Sequence, residues 1–87
     1  MKLRSDFITQ NVGSDTLMVA VGAAAKQFHG LVRMNDTAAF VAKCLAEDTT
    51  EEAIVDRMQE SFDAERSVLE RDVHAMIEQL RSIGALE

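Results

Sequence analysis

The segment GLVRMNDTAAF, residues 30–40, contains the signal that decides the fold. After the glycine, residues 31–34 are mostly apolar and suit a short strand. Asn35 follows at once, and an asparagine side chain is well suited to accept hydrogen bonds from the first amides of a helix. Ala38 and Val41 then lie three residues apart, as one face of a helix requires. The segment therefore predicts a short strand that leads directly into a capped helix.

Two further strands are predicted before this segment. Residues 7–12 (FITQNV) and 17–21 (LMVAV) are rich in β-branched and bulky side chains, and the turn-forming residues 13–16 (GSDT) lie between them. The pattern indicates a hairpin. Both faces of the second strand are apolar, so periodicity alone does not indicate which face meets the core. Residues 22–30 connect the hairpin to the third strand, with room for one helical turn over the alanines.

A second helix is predicted after the first, which we expect to end near Glu47. Thr49 and Glu52 form a capping-box pattern, and Thr50 is a competing cap. The apolar residues that follow recur at helical spacing to about residue 62. They are Ile54, Val55, Met58 and Phe62.

The third predicted helix is the longest and covers about residues 64–83, with Asp63 as its expected cap. Gly84 lies where a helix commonly ends in a left-handed residue. The apolar stripe of this helix consists of Leu69, Val73, Met76, Leu80 and Ile83. The predicted fold class is α+β: a winged helix-turn-helix-like domain, in which a three-stranded antiparallel sheet is followed by three helices. We expect residues 1–87 to form this single domain.

Composition fits a small globular protein with one core. The chain has 87 residues, 47% of them hydrophobic, and no proline. No run of about eighteen apolar residues predicts a membrane span. The first residues, MKLRSDF, lack the apolar stretch of a signal peptide, so the cytoplasm is the expected location.

Charge is divided unevenly between the two halves of the chain. Residues 1–46 contain five Lys/Arg and three Asp/Glu, whereas residues 47–87 contain four and twelve. An acidic half repels phosphate backbones, so nucleic acid is a poor partner for it. Such charge is also typical of solvated helix surfaces.

No residue pattern indicates catalysis or a bound cofactor. Cys44 is the only cysteine, which excludes an internal disulfide. Its apolar neighbours favour a buried structural role over the alternative of a reactive thiol. Neither His29 nor His74 has a partner at metal-ligand spacing. We therefore expect no catalytic residue, no cofactor and no metal, and interpret the chain as a binding module.

Four short motifs occur in a fixed order and together resemble one family. They are a glycine with a short strand and Asn-Asp-Thr, a Thr-x-Glu-x-Ile helix start, an Asp-Val helix stripe and a Gly-x-Leu close. Their residues are Gly30 to Phe40; Thr50, Glu52 and Ile54; Asp72, Val73, Met76, Ile77 and Leu80; and Gly84 and Leu86. This set, which covers nearly the whole chain, resembles the PqqD-like proteins, the leader-peptide-recognition domains of ribosomal peptide natural product pathways.

Two positions depart from the family pattern. His29 stands where many relatives have Asn, which would alter the turn into the third strand. Ala42 stands where a large aromatic often occurs, and we expect another side chain to fill the vacated volume. Neither departure touches the expected binding mode.

The resemblance implies a non-catalytic peptide chaperone. Such a protein binds the leader of a precursor peptide as an added strand beside its third strand, in a groove shared with its third helix, and presents it to a modifying enzyme, often a radical S-adenosylmethionine (radical SAM) enzyme. One flank of the third helix shows Val68, Asp72, Ala75 and Gln79, and the other shows Glu70, Ile77 and Arg81; we favour the first. The expected peptide-binding residues are Leu31, Val32, Arg33, Met34, Val68, Asp72, Ala75 and Met76.

Two other functions remain open at the level of sequence. A winged-helix transcription regulator would use the third helix to read DNA, but that helix is net acidic, whereas a basic helix is expected. A dimerisation or adaptor subunit would use an exposed sheet edge on itself. No membrane partner is expected.

Overall fold

Three strands come first along the chain and three α-helices follow. The computed structural model describes residues 1–27 and 30–87, so the departure at His29 lies outside the described residues. The elements are β1 (Phe7–Val12), β2 (Asp15–Ala20), a 3₁₀ helix (Gly22–Lys26), β3 (Leu31–Met34), α1 (Asp36–Cys44), α2 (Glu51–Ser61) and α3 (Arg66–Ser82). This confirms the predicted α+β fold, a three-stranded antiparallel sheet followed by three helices.

The turn between β1 and β2 is shorter than predicted. Val12 pairs with Asp15, so only Gly13 and Ser14 form the turn, and β2 begins two residues before the expected start. Gly13 has φ 63°, a conformation that favours glycine and that a two-residue hairpin turn requires at this position. The prediction assigned Asp15 and Thr16 to the turn because both are common turn residues; here they pair with β1 instead.

β2 is the central strand, and its register fixes the direction of every backbone group in the sheet. The Val21 amide donates to the Asp6 carbonyl at 2.8 Å, which makes that pair a hydrogen-bonded one. Hydrogen-bonded and non-hydrogen-bonded pairs alternate along an antiparallel ladder, so the backbone of Val19 points to β1 and that of Met18 points to β3. Met18 lies opposite Val32, and the backbone of Val32 therefore points back to β2.

The inner face of the sheet packs on the helices. Phe7, Met18 and Met34 are buried in the core, whereas Leu17 and Val19 lie on the outer face. Periodicity alone does not indicate which face of β2 meets the core, and the structure shows that it is the face with Met18.

The first two helices begin at side-chain caps. The Ala38 amide donates to Asn35 Oδ1 at 2.8 Å, as the sequence predicts. For α2 the cap is Thr50, whose Oγ1 accepts from the Ala53 amide at 3.1 Å. The predicted capping box at Thr49 is wrong: Thr49 is held outside the helix because its amide donates to the Met1 carbonyl at 2.8 Å.

The boundaries of α1 and α3 differ from the predicted ones. α1 ends at Cys44 rather than near Glu47, because the chain turns at Leu45 and buries that side chain completely. α3 begins at Arg66, and Asp63 does not cap it. Arg66 instead ties the helix start to α2 by donating to Asp56 at 2.8 Å and to Gln59 at 2.7 Å.

α3 ends in a Schellman motif around Gly84. The Ala85 amide donates to the Leu80 carbonyl at 2.9 Å, and the Gly84 amide donates to the Arg81 carbonyl at 3.1 Å. Gly84 has φ 74°, as the sequence predicts for a left-handed residue at this helix end.

The core-facing stripe of α3 is wider than predicted. Leu69, Val73, Met76 and Leu80 are buried as expected, and Ile77, which the sequence analysis assigned to a flank, is fully buried as well. A helix packed against two other helices, here α1 and α2, needs an apolar stripe of more than two residues per turn, which places Ile77 in the core. Each helix in the described ranges is too short or too polar to cross a membrane.

The segments before β1 and after α3 pair with each other. Leu3 lies opposite Leu86 in an antiparallel bridge. The Arg4 amide donates to the Ala85 carbonyl at 2.8 Å, and the Glu87 amide donates to the Lys2 carbonyl at the same distance. These bonds hold the two segments together beside the end of α1.

Candidate functional site

The outer edge of β3 presents unpaired strand backbone. Within residues 1–27 and 30–87, β3 has a strand neighbour only on the side of β2. Since Val32 and Met34 turn their backbone groups to β2, the amides and carbonyls of Leu31 and Arg33 point away from the sheet. Such an edge can hydrogen-bond to a further extended chain.

A groove of about 300 Å³ begins at Asn35, the residue that directly follows β3. One wall is the first turn of α1 and the other is the middle of α3. The groove is lined by Asn35, Thr37, Ala38, Asp72, Ala75, Met76 and Gln79. A strand added to β3 would place alternate side chains on the inner side of the sheet, the side on which the groove lies.

The groove has the largely buried Met76 among its lining residues, together with polar side chains and one carboxylate, that of Asp72. Met76 is 9% exposed and continuous with the core. Asn35 Oδ1 already accepts the hydrogen bond from the Ala38 amide that caps α1, so it is less available to a ligand than the Asp72 carboxylate. The Asp72 carboxylate is half-exposed, and Arg71 Nε approaches it only to 4.0 Å. The groove can therefore hold an apolar side chain against Met76 and a polar or cationic group beside Asp72.

The structure brings together some of the expected peptide-binding residues. Asp72, Ala75 and Met76 line the groove, and Gln79, from the same flank of α3, lines it too. Val68, one turn before Asp72, is half-buried and lies outside the groove lining.

The expected residues on the third strand divide by face. Val32 and Met34 face the core, whereas the side chains of Leu31 and Arg33 are exposed on the outer face. Arg33 lies 3.5 Å from Asp15 across the sheet. Leu31 and Arg33 thus contribute the open backbone edge, whereas Val32 and Met34 contribute their side chains to the interior.

The groove wall formed by the start of α1 is not predicted from the sequence. Asn35 is predicted as a cap and Ala38 as part of one helix face, and the family motif includes both and Thr37, but none of the three is predicted to bind peptide. The available signal was the small size of Ala38 in a first helical turn, which leaves space beside it. That signal is weak because alanine is common in any helix.

A larger cleft of about 650 Å³ lies on the other side of α1, between that helix and β1. Ala39 and Ala42 form part of its lining, as do Lys2 and Lys43. The volume beside Ala42 that we expected another side chain to fill is therefore partly an open cleft.

The single thiol is a structural group. Cys44 is buried in the core, and burial raises the pKa of its thiol above the ordinary value, against the opposing effects of Arg57 and Lys43. A thiol with a raised pKa is a poor nucleophile at neutral pH. Across residues 1–27 and 30–87, no cluster of His, Cys, Asp and Glu has the arrangement of a metal site.

Comparison with known proteins assigns the chain to a family. The model of the family described as Coenzyme PQQ synthesis protein D (PqqD) matches residues 16–86. The fold is similar to that of TbiB1, solved in complex with the TbiA(beta) leader peptide, with a TM-score of 0.80 at 17% identity over 100% of this chain and 95% of that one. It is also similar to a lasso peptide synthetase B1 complexed with the leader peptide, with a TM-score of 0.75 at 20% identity over 97% and 93%. The comparison with curated proteins gives no match. Because the family model covers most of its length, the chain belongs to the PqqD family.

Proposed function

We propose that this chain is a non-catalytic peptide chaperone. It binds the leader segment of a ribosomally synthesised precursor peptide by strand addition to β3 and presents it to a modifying enzyme of the radical SAM class. Residues 1–87 act as one peptide-binding domain in the cytoplasm, where such precursors are made. The observation that carries the proposal is the outward backbone of Leu31 and Arg33 beside a groove that the largely buried Met76 helps to line.

The energetics require both parts of this site. Leu31 and Arg33 offer four backbone groups, and at about 0.5–1.5 kcal/mol net each they contribute about 2–6 kcal/mol. Micromolar binding needs about 8 kcal/mol, after the entropic cost of association. The remainder must come from apolar peptide side chains buried in the groove against Met76, at about 25 cal/mol per Å². The peptide is therefore expected to contain spaced apolar residues in an extended segment.

The comparisons support the same kind of ligand. Two proteins with this fold were solved with leader peptides bound, and the family takes its description from the synthesis of coenzyme PQQ, a process that requires modifying enzymes. A non-catalytic binding protein would fit such a process as the component that selects the peptide.

A selection from a display library of random linear peptides tests the proposal without a known ligand. Peptides enriched on the immobilised chain are then titrated by calorimetry against wild type and two proline variants. Arg33→Pro removes an outward amide at the β3 edge. Thr9→Pro is the matched control, because the amide of Thr9 also points outward, but at the opposite edge of the sheet.

The expected result is enrichment of peptides with spaced apolar residues, which bind wild type and Thr9→Pro alike and bind Arg33→Pro at least about tenfold more weakly. Circular dichroism confirms that each variant is folded. Equal binding by a folded Arg33→Pro excludes pairing at this edge. A labelled duplex DNA pool in the same assay is expected to bind no tighter than about 10⁻⁴ to 10⁻⁶ M at physiological salt; a sequence-selective complex at lower concentration would support a transcription regulator instead.

A further inference from the structure

The outer face of the sheet, the side turned away from the helices, concentrates the exposed apolar side chains. Within residues 1–27 and 30–87, four large apolar side chains are exposed: Ile8 at 37%, Val12 at 58%, Val21 at 38% and Leu31 at 57%. The alternation of side chains along the strands places Ile8, Val12 and Leu31 on this face. Val21, directly after β2, has extended backbone and still bonds to Asp6, so the same alternation places it there too. A single exposed apolar residue is ordinary, but their restriction to one face is typical of an interaction surface.

The apolar residues form a continuous row across all three strands. Ile8 lies opposite Val19, and Val19 lies opposite Leu31, so the three side chains are cross-strand neighbours. The charges described on this face are Arg33 and Asp15, which lie 3.5 Å apart and offset each other. The face is therefore close to neutral in a chain of net charge −6.

We propose that this outer face docks the peptide-modifying enzyme through an uncharged apolar patch of that enzyme. The inference rests on the proposed function, because it identifies the partner that receives the bound peptide. Leu31 belongs both to the apolar row and to the strand edge that pairs with the leader. An enzyme seated on the row therefore lies directly beside the peptide that it has to modify.

A second copy of the chain is a poorer occupant. Strands of six residues spaced about 4.8 Å apart give this face an area of roughly 300 Å². A stable interface needs about 800 Å² on each partner. Two chains of net charge −6 also repel each other, and the face offers only a balanced charge pair to offset that repulsion. A small neutral patch suits transient docking to a larger protein whose surface also covers its rim.

Docking on this face couples the two ligands. A leader strand added to β3 extends the same face by one strand, and its outward side chains continue the row beyond Leu31. The enzyme then contacts both the chain and the peptide, so each ligand strengthens binding of the other.

The test uses each peptide-modifying enzyme encoded in the genome that encodes this chain, and each enzyme is produced separately. Biolayer interferometry then measures its affinity for this chain, with and without a library-selected peptide. Ile8→Lys and Val12→Lys place a charge on β1, two strands away from the peptide edge. Ser61→Lys, at the exposed end of α2, is the control for the added charge.

One enzyme is expected to bind wild type and Ser61→Lys, and to bind Ile8→Lys at least about tenfold more weakly. Ile8→Lys and Val12→Lys should keep their affinity for the selected peptide, and saturating peptide should strengthen enzyme binding to wild type but not to Arg33→Pro. The proposal is overturned if no enzyme binds wild type, or if Ile8→Lys binds it normally. It is also overturned if sedimentation shows wild type to be a dimer that Ile8→Lys dissociates. The peptide is also titrated into wild type without enzyme. If it does not bind there, the proposed function is refuted independently of the docking face.

Discussion

Val32 lies opposite Met18 as a hydrogen-bonded pair, and this pairing turns the next amide, that of Arg33, to the open edge of the sheet. Neighbouring residues of one short strand thus have opposite roles. The backbone of Val32 holds β3 in the sheet, and the backbone of Arg33 is available to a ligand.

Proline substitutions at these neighbours should therefore separate stability from binding. Val32→Pro removes a ladder hydrogen bond beside the fully buried Met18, and we expect it to lower the free energy of unfolding by about 2 kcal/mol or more. Arg33→Pro should cost less than about 1 kcal/mol, because its amide is outside the ladder. Urea denaturation followed by circular dichroism measures both. Equal destabilisation by the two variants would contradict the derived backbone directions.

Asp72 should influence which peptides are chosen more than how tightly they bind. The carboxylate lines the groove, with Arg71 Nε no closer than 4.0 Å, so a peptide cation can approach it. Peptides selected on wild type should be enriched in a basic residue at one position, and those selected on Asp72→Lys in an acidic one. Each peptide should lose only about two- to fivefold in affinity when tested on the other protein, as expected for a half-exposed ion pair. Unchanged peptide composition between the two selections would exclude a role for this carboxylate.

Filling the groove should block peptide binding without unfolding the protein. Ala75 is exposed and lines the groove, so Ala75→Phe adds volume there without entering the core. We expect peptide affinity to fall at least about tenfold, while the free energy of unfolding changes by less than about 0.5 kcal/mol. Ser61→Phe provides the matched control at an exposed helical position outside the groove. Full binding by Ala75→Phe would mean that the peptide lies elsewhere on β3.

The two threonines before α2 should respond differently to alanine. Thr50 Oγ1 accepts from the Ala53 amide at 3.1 Å, so Thr50→Ala should lower the free energy of unfolding by about 1 kcal/mol. The hydrogen bond from Thr49 to the Met1 carbonyl is made by its backbone amide, which Thr49→Ala retains. Thr49→Ala should therefore lower the free energy of unfolding less than Thr50→Ala. Thermal and urea denaturation of the two variants compare these costs directly. A larger loss at Thr49 would reassign the cap.

The Cys44 thiol should react slowly in the native protein. Burial raises its pKa, so less thiolate is present at pH 8 in the folded state than in the unfolded state, where the ordinary value applies. Ellman's reagent should modify the folded protein far more slowly than a sample in strong denaturant. Because the native state keeps its proton longer, this group favours folding less as the pH rises above its ordinary value of 9.0. Rapid modification of the folded protein at pH 7 would instead indicate a reactive thiol.

Local chemistry explains which parts of the fold could be predicted. Asn35 and Gly84 act through hydrogen bonds and φ values set within a few residues, and their roles are visible in the sequence. Thr49 and Thr50 are equivalent by such local rules, and only the distant Met1 distinguishes them. A stripe with the predicted width places Ile77 on a flank, whereas α3 packs against both α1 and α2 and therefore buries it.

Part of the candidate site was also predictable from the sequence. Asp72 and Met76 were identified through the family motif, and the structure places both in the groove. The wall formed by Thr37 and Ala38 depends on how α1 lies against α3, which no local pattern encodes. The outward amide of Arg33 requires the register of all three strands, which the sequence leaves undetermined.

The bridge between Leu3 and Leu86 joins the segment that precedes the sheet to the segment that follows α3. The chain enters the fold beside the point where it leaves, since Lys2 and Glu87 share a hydrogen bond. A fold with this geometry can be inserted into a surface loop of another protein, where it would separate the two loop ends by little more than the spacing of adjacent strands, about 5 Å.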